Sequence, residues 1–203
     1  LKDGINEWLA RDGGSTLTSQ MDTFIYNAEA VFNRMGVANQ WYQMEEETSL
    51  TTDSDGNATL PADFLAVKSV RRAGSPNIEL DPISMGTENR LSPDDTAGVA
   101  RFFSISGTTL RVTPIEAGTD LLTLTYFEKI PNLAANTTNW LLTLAPDAYL
   151  FESLAQAQMF TRQFEAAAGF HGQAMLILDG IGMVSTMARY GNAGIVNTDV
   201  PIA

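Results

Sequence analysis

The chain has 203 residues, 44% of them hydrophobic, and a formal net charge of −12. It contains no cysteine and one histidine, which excludes disulfides, thiolate nucleophiles and the usual zinc sites. No run of 18 apolar residues occurs, so we expect no membrane-spanning helix and no membrane partner. The negative charge argues against wrapping of nucleic acid, because phosphate binding requires lysine and arginine. It either keeps the protein soluble or forms a wall that does not grip passing DNA.

Two helices are predicted in the N-terminal part of the chain. The first covers residues 4–12. The second is expected to begin at Thr18 or Ser19, whose side-chain oxygen can cap it, and to end at Gly36 in a left-handed turn. Its apolar residues recur at steps of three and four, which predicts one buried stripe: Leu17, Met21, Phe24, Ile25, Ala28, Val31, Phe32 and Met35.

The middle of the chain has the composition of a β-domain. Residues 41–130 are rich in threonine, valine, isoleucine, aromatic residues and turn signals. This density of short strands predicts a small antiparallel sandwich or barrel. The first strand is predicted over residues 41–50 and the last over residues 121–129. In the last strand, alternation places Leu122, Leu124 and Tyr126 on one face.

One turn in this region resembles a metal site. Asp53, Asp55 and Asn57 alternate oxygen ligands as calcium loops do. The pattern then fails, because Ala58 stands where the glycine is needed and Phe64 where the bidentate glutamate is needed. We therefore interpret the segment as a solvated hairpin turn and predict no metal and no cofactor.

The helical period returns at Asn139. Pro146 suits the first turn of a helix, where its missing N–H group costs nothing. The apolar stripe predicted for this helix is Tyr149, Leu150, Ser153, Leu154, Ala157 and Phe160.

A second C-terminal helix is predicted over residues 161–189. Its aligned residues are Phe164, Ala167, His171, Met175 and Leu178. It contains four glycines, each of which costs up to about 1 kcal/mol in a helix interior: Gly169, Gly172, Gly180 and Gly182. Either the helix breaks at these glycines, or close helix packing offsets their cost.

The order of predicted elements is helices, sheet, helices, which indicates an α+β fold. The simplest architecture is a helical bundle formed by the N- and C-terminal helix pairs, residues 1–39 and 139–190, with the β-domain, residues 40–138, inserted. Residues 191–203 are predicted to be an extended C-terminal arm, because they hold few apolar residues.

The connection between the last strand and the following helix carries a family resemblance. A strand ends at a proline, a polar linker follows, and a helix begins at a second proline. The residues of this pattern are Tyr126, Ile130, Pro131, Asn139, Trp140, Pro146 and Tyr149. Together with the N-terminal helices, the segment 60–65 and the hairpin at Gly107, it resembles the head-to-tail adaptor (connector ring) proteins of tailed bacteriophages, tail tubular protein A of short-tailed phages among them. The glycine-rich segment 169–182 departs from the family, which has a more charged helix there.

The resemblance implies a structural virion protein and not an enzyme. It implies a homo-oligomeric ring, usually a dodecamer, that is made in the host cytoplasm and joins the portal protein to a tail or nozzle protein at the head–tail junction. Genomic DNA would pass through the channel without specific binding. The seven residues of the strand-to-helix pattern would be scaffold. The residues expected to bind the portal lie in the C-terminal arm: Ile195, Val196, Val200, Pro201 and Ile202.

Two alternative functions remain open at this point. A virion β-module that binds carbohydrate or a receptor would need exposed aromatic residues on the sheet, with Trp41 and Phe102 as candidates. A cell-wall hydrolase would need a pair of acidic residues, and the sequence nominates none.

Overall fold

The computed structural model describes residues 1–9, 15–74, 77–87, 98–115 and 121–190. The chain is a mixed α and β protein that divides into two compact units. The helical unit takes its residues from Leu1–Met44 and Ile130–Ala203, and the β unit from Glu45–Lys129. The predicted C-terminal arm lies outside the described residues.

The helical unit is built from five α-helices in its described part, with a short 3-10 helix at Tyr42–Met44. The α-helices are α1 (Lys2–Leu9), α2 (Ser15–Ala38), α3 (Trp140–Leu144), α4 (Pro146–Phe160) and α5 (Phe164–Tyr190). Helix α4 packs against α1, α2 and α5. Since α1 and α2 come from one end of the chain and α4 and α5 from the other, the unit is held together by long-range contacts.

Apolar stripes of α2 and α4 form the core of this unit. The predicted α2 stripe is confirmed, with Val31 and Met35 half-buried and these residues buried: Leu17, Met21, Phe24, Ile25, Ala28 and Phe32. The predicted α4 stripe is confirmed for Tyr149, Ser153, Leu154 and Ala157, whereas Phe160 is 53% exposed.

The sequence predicted that α2 ends at Gly36, and this prediction is wrong. The helix continues to Ala38, and the positive φ follows at Gln40 (φ 50°). A Cβ atom at Gly36 would lie 2.8 Å from Cε3 of Trp41 and would also collide with Sδ of Met44. The glycine is therefore needed for close packing inside the helix, not for a turn at its end.

Two further boundaries differ from the prediction. The strand predicted over residues 41–50 begins only at Glu45, because residues 42–44 form the 3-10 helix and Trp41 is fully buried in the helical unit. Helix α5 begins at Phe164 and not at residue 161, because Arg162 adopts a positive φ of 65° that a continuous helix does not allow.

The described part of the β unit contains two four-stranded sheets. The strands are β1 (Glu45–Thr51), β2 (Asn57–Thr59), β3 (Phe64–Arg72), β4 (Ile78–Glu79), β5 (Asp81–Pro82), β6 (Phe102–Ser106), β7 (Thr109–Thr113) and β8 (Leu121–Glu128). The strand orders are β1-β8-β3-β4 and β2-β7-β6-β5.

Strand pairing is antiparallel except between β5 and β6, which run parallel. This departs from the purely antiparallel domain that was predicted. The reason is local: a single extended stretch supplies β4 to one sheet and β5 to the other, with the buried Leu80 between them.

One hydrophobic cluster takes side chains from both sheets. Leu122, Leu124 and Tyr126 of β8 are buried in it, as alternation predicted, together with Phe103 of β6 and Val112 of β7. Charged side chains line the edge strand β1: Glu47 pairs with Arg71 of β3 (2.9 Å), and Glu45 pairs with Lys68. These pairs reach across β8, which lies between β1 and β3.

Candidate interaction surface

Asn139 is the centre of a buried polar network in the helical unit. Its Oδ1 accepts a hydrogen bond from the backbone N–H of Leu142 (2.7 Å) and so caps α3. Its Nδ2 donates to the carbonyl oxygen of Pro131 (2.8 Å) and to the hydroxyl of Tyr149 (2.7 Å). One side chain thus joins the linker, the start of α3 and helix α4.

The linker between β8 and α3 is also hydrogen-bonded to helix α2. Asn33 Oδ1 accepts a hydrogen bond from the N–H of Ile130 (2.9 Å), and Glu29 Oε1 accepts one from the N–H of Leu133 (2.8 Å). Burial raises the pKa of Glu29, although the bond from Leu133 opposes the shift. Sequence analysis assigned no scaffold role to Asn33 or Glu29. The available signal was their spacing of four residues, which places both on one face of α2.

Tyr149 is fully buried against α2. Its ring meets the ring of Phe32 edge-on, with centroids 4.7 Å apart. Burial raises the pKa of its hydroxyl, the hydrogen bond from Asn139 lowers it, and the charge of Glu29 raises it further. The hydroxyl therefore stays neutral and acts as a hydrogen-bonding group of the core.

The remaining predicted scaffold residues occupy separate places. Trp140, in α3, meets Trp41 edge-on at 6.0 Å, and Pro146 is the exposed first residue of α4. Tyr126 belongs to the β unit, where its hydroxyl donates to Asp63 Oδ1 (3.1 Å) and its ring stacks on Phe64. Burial, followed by the bond to Asp63, raises the pKa of Tyr126 to about 12.

Among the described residues of the helical unit, Glu152 is the most deeply buried acidic group. Its Oε2 lies 2.8 Å from Nδ1 of His171, whose side chain is half exposed, and its Oε1 accepts from Nε2 of Gln156. Both carboxylate oxygens are therefore engaged, and the pair connects α4 to α5. In the part of the chain that the structure describes, His, Asp and Glu side chains form no group of three or more that could hold a metal ion.

The turn that resembles a calcium loop is closed by its own hydrogen bonds. Asp53 Oδ1 accepts from the backbone N–H groups of Asp55 (2.9 Å) and Asn57 (2.8 Å). The bond from Asn57 is the main reason why the pKa of Asp53 is lowered. Gly56 takes a positive φ of 74° in the same turn.

Helix α5 has two apolar faces on opposite sides. The buried face consists of Ala167, Ala174, Leu178, Ile181, Gly182 and Ser185. The opposite face, here called the outer stripe, consists of exposed residues that follow one another at steps of three and four: Gly169, Gly172, Leu176, Gly180, Met183, Met187 and Tyr190. The formally charged residues of this helix are Glu165, Asp179 and Arg189.

The large side chains of the outer stripe are strongly exposed. The exposed fractions are 68% for Leu176, 65% for Met183, 59% for Met187 and 62% for Tyr190. A soluble helix ordinarily places polar and charged residues opposite its buried face. The outer stripe is therefore an apolar surface that the described helical unit does not bury.

The glycines of the outer stripe have no packing role within the described chain. A Cβ atom added at Gly169, Gly172 or Gly180 would meet no described atom within 4 Å. At Gly182, on the buried face, it would lie 3.3 Å from Cβ of Asn39. The helix does not break at the four glycines, and close packing inside the described chain accounts for Gly182 alone.

A groove of about 440 Å³ lies beside the C-terminal half of the outer stripe. Its walls come from α5 and from the residue that follows α2: Asn39, Asp179, Gly182, Met183, Thr186 and Met187. Methionine side chains adapt their shape to a contacting surface. The groove thus adjoins the outer stripe and mixes the apolar Met183 and Met187 with the acidic Asp179 and the polar Asn39 and Thr186.

The predictions from the sequence did not include this surface. They aligned Phe164 and His171 with the buried residues Ala167 and Leu178, but Phe164 is 65% exposed and His171 is exposed as well. A helix that is apolar all round gives no periodic signal that selects one face. The useful signal was that Gly169, Gly172 and Gly180 fall on one face of the helix.

Other predicted site residues have different outcomes. The five predicted portal-binding residues, from Ile195 to Ile202, lie outside the described residues. Trp41, a candidate for glycan binding, is fully buried, and Phe102 is half-buried. None of the helices in the described ranges combines the length and the apolar character that crossing a membrane requires.

Comparison with protein families identifies the group to which the chain belongs. The model of the SU10 adaptor protein family matches residues 1–197. Comparison with curated protein sequences gives no match. The family match supports the predicted resemblance to phage head-to-tail adaptors, without showing a specific similarity to tail tubular protein A. Since the match covers nearly the whole chain, the protein belongs to the SU10 adaptor protein family, a family of structural adaptor proteins of bacteriophages.

Proposed function

We propose that the chain is one subunit of a ring that joins the portal to the tail in a phage virion and surrounds the path of the DNA. Family membership supports an adaptor role. The observation that carries the ring is the outer stripe of α5, an apolar surface that the subunit leaves exposed. The largest exposed apolar patch of a protein is often its site of contact with a partner.

We propose that the subunit is a helical bundle with an inserted β-sandwich. Two chain segments, 1–44 and 130–203, contribute to the helical unit, and the segment between them makes the β unit. Contacts of α4 with α1 and α2 support a bundle, and a core that draws on both sheets supports a sandwich. The residues of the Asn139 network act as scaffold in this arrangement, because they hold the linker to α2 and α4.

The proposed partners are the portal protein, a tail or nozzle protein, and further copies of the chain in a dodecamer. The portal would be bound through the C-terminal arm, with Ile195, Val196, Val200, Pro201 and Ile202 as the contacting residues. A ring of copies that each carry a net charge of −12 would repel the phosphates of DNA. DNA would therefore pass during ejection without specific binding.

The proposed role is structural and needs no catalytic group. The family is one of structural adaptors. Two acids of the helical unit are buried in its described part: Glu152, whose oxygens are engaged by His171 and Gln156, and Glu29, which accepts a hydrogen bond from the linker N–H of Leu133. A hydrolase would need a carboxyl group free to exchange a proton with a substrate.

Electron microscopy of purified particles tests the proposed function. The chain would carry a small tag whose density or antibody label marks its position. We expect a ring of copies between the portal and the tail. Particles in which the label lies elsewhere, or in which the chain is absent, would contradict the proposal.

A further inference from the structure

We infer that the outer stripe of α5 packs lengthwise against a neighbouring copy of the same chain, and that its glycines set a short distance between the two copies. The inference rests on the proposed function and assigns to one surface the contact that closes the ring. The alternative occupants of this surface, the portal and the tail protein, are outcomes of the test below.

The glycines indicate that another backbone comes close to this face. Gly169, Gly172 and Gly180 weaken the helix, and no described atom of the chain lies near the side of each that faces solvent. Small residues at steps of three and four allow two helices to approach more closely than larger side chains would. Leu176, between Gly172 and Gly180, is large and exposed, as expected for a side chain that fits into a groove.

The charge of the chain favours this surface for a contact between copies. Each copy carries a net charge of −12, so two copies repel each other wherever their acidic surfaces meet. The seven residues of the outer stripe carry no formal charge. Two acidic copies can therefore approach along this stripe without placing like charges opposite each other.

The shape of the surface also fits a neighbour in a ring. Helix α5 has 27 residues, which corresponds to a length of roughly 40 Å. Copies in a ring stand side by side, so a contact along a whole helix suits a neighbouring copy. Contacts in a closed ring are heterologous, so the outer stripe meets a different face of the neighbour. The groove beside Met183 and Met187 offers space for a ridge of that face.

The size of the contact determines how it must be tested. The outer stripe runs from Gly169 to Tyr190 and is therefore roughly 32 Å long, and at a width of roughly 10 Å it covers about 320 Å² on each copy. Stable complexes bury about 1,200–2,000 Å² in total, so a single contact of this kind is too small to hold two free copies together. The measurement therefore requires assembled particles.

The first test adds bulk to the outer stripe. Gly180→Leu and Gly172→Leu place a large side chain where the described chain leaves open space, so the subunit should melt at or above the wild-type temperature. The matched control is Ala188→Leu, which adds a similar side chain at an exposed position of the same helix outside the stripe. Each full-length variant is produced in the phage that encodes the chain, and copies per particle are counted by quantitative mass spectrometry.

The second test leaves the glycines unchanged. The chain has no cysteine, so Met183→Cys creates a unique thiol that can carry a maleimide benzophenone. Illumination of assembled particles then cross-links residue 183 to whatever covers it, and mass spectrometry identifies the partner. Ala188→Cys is the control position on the same helix.

We expect the glycine variants to lower the copy number at least tenfold, the Ala188→Leu variant to assemble as the wild type does, and the Met183→Cys probe to label another copy of the chain. Wild-type copy number in both glycine variants would overturn the inference. Labelling of the portal or the tail protein in place of another copy would also overturn it, while leaving the adaptor function intact. A wild-type chain that is absent from particles would instead contradict the proposed function itself.

Discussion

Two helical glycines of the same unit have opposite surroundings. At Gly36 in α2, an added Cβ would lie 2.8 Å from the ring of the buried Trp41. At Gly180 in α5, it would meet no described atom within 4 Å. Both residues lie inside long helices, where glycine is unfavourable by about 1 kcal/mol relative to alanine. At Gly36, close packing with Trp41 and Met44 offsets this cost. At Gly180, no contact of the described chain offsets it.

The difference separates residues that pack inside the folded chain from residues that the described chain leaves exposed. Gly36 and Asn139 are both buried, and each polar atom of the Asn139 side chain is hydrogen-bonded. The outer stripe of α5 is open and apolar. Substitutions at the buried positions should therefore change folding stability, and substitutions on the stripe should change assembly.

The largest effect on stability is expected at Gly36. Gly36→Val places methyl groups against Trp41 and Met44, which are both fully buried, and should destabilise the subunit by about 3 kcal/mol. Urea unfolding followed by circular dichroism measures the change. The matched control is Gly172→Val, which adds the same side chain to open space. Equal losses in the two variants would show that helix propensity, and not packing, dominates at both positions.

A smaller loss is expected from the polar network. Asn139→Ala removes the cap of α3 and leaves the Pro131 carbonyl and the Tyr149 hydroxyl without this donor, so we expect a loss of about 2 kcal/mol. Asn136→Ala is the control, because Asn136 lies in the same linker and its side chain makes one exposed hydrogen bond, to the carbonyl oxygen of Asn132. The two variants are compared by thermal and urea unfolding. A loss at Asn139 no greater than at Asn136 would rule out the network as a stabilising element.

A substitution in the outer stripe of α5 should increase folding stability. Gly172→Ala improves helix propensity and meets no described atom within 4 Å, so we expect a gain of about 0.5–1 kcal/mol. The same unfolding measurement checks it. A destabilised Gly172→Ala subunit would mean that the glycine is needed within the chain, and would remove the basis of the contrast with Gly36.

The smallest effect is a dependence on pH at Glu29. Burial raises the pKa of this carboxyl, so the folded state holds its proton more tightly than the unfolded state does. The resulting stabilisation is present at low pH and is lost as pH rises through the folded-state pKa. Glu29→Gln keeps an acceptor for the N–H of Leu133 and removes the titration. The stability of this variant relative to the wild type should therefore rise as pH increases through the folded-state pKa of Glu29, which lies above the ordinary value for a glutamate. A difference that stays constant with pH would show that Glu29 does not contribute in this way.

Local patterns in the sequence predicted much of the fold. The apolar steps from Leu17 to Phe32 and the alternation from Leu122 to Tyr126 correspond to buried faces in the structure. Each of these buried faces follows from the periodicity of a single helix or strand, which is visible in the sequence. The end of α2 was misplaced, because a glycine suits both a helix end and a close contact. Packing against Trp41 and Met44, which a local pattern does not reveal, decides between these two roles.

The candidate surface was harder to predict than the core. The polar contacts of Asn139 with Pro131 and Tyr149 depend on how the linker folds back on α4. The contact between Glu152 and His171 likewise depends on how α4 and α5 pack against each other. On α5, the buried and exposed faces have similar composition, so only packing against α4 distinguishes them. Gly169, Gly172 and Gly180 have no packing explanation within the described chain, so the intramolecular contacts do not account for them.

The most direct test of the central claim is a cryo-electron microscopy reconstruction of the portal–tail junction in wild-type particles, at a resolution that resolves side chains. We predict a ring of this chain in which Leu176, Met183 and Met187 of each copy are buried against the next copy. A ring in which these side chains face solvent, or the DNA path, would contradict the account.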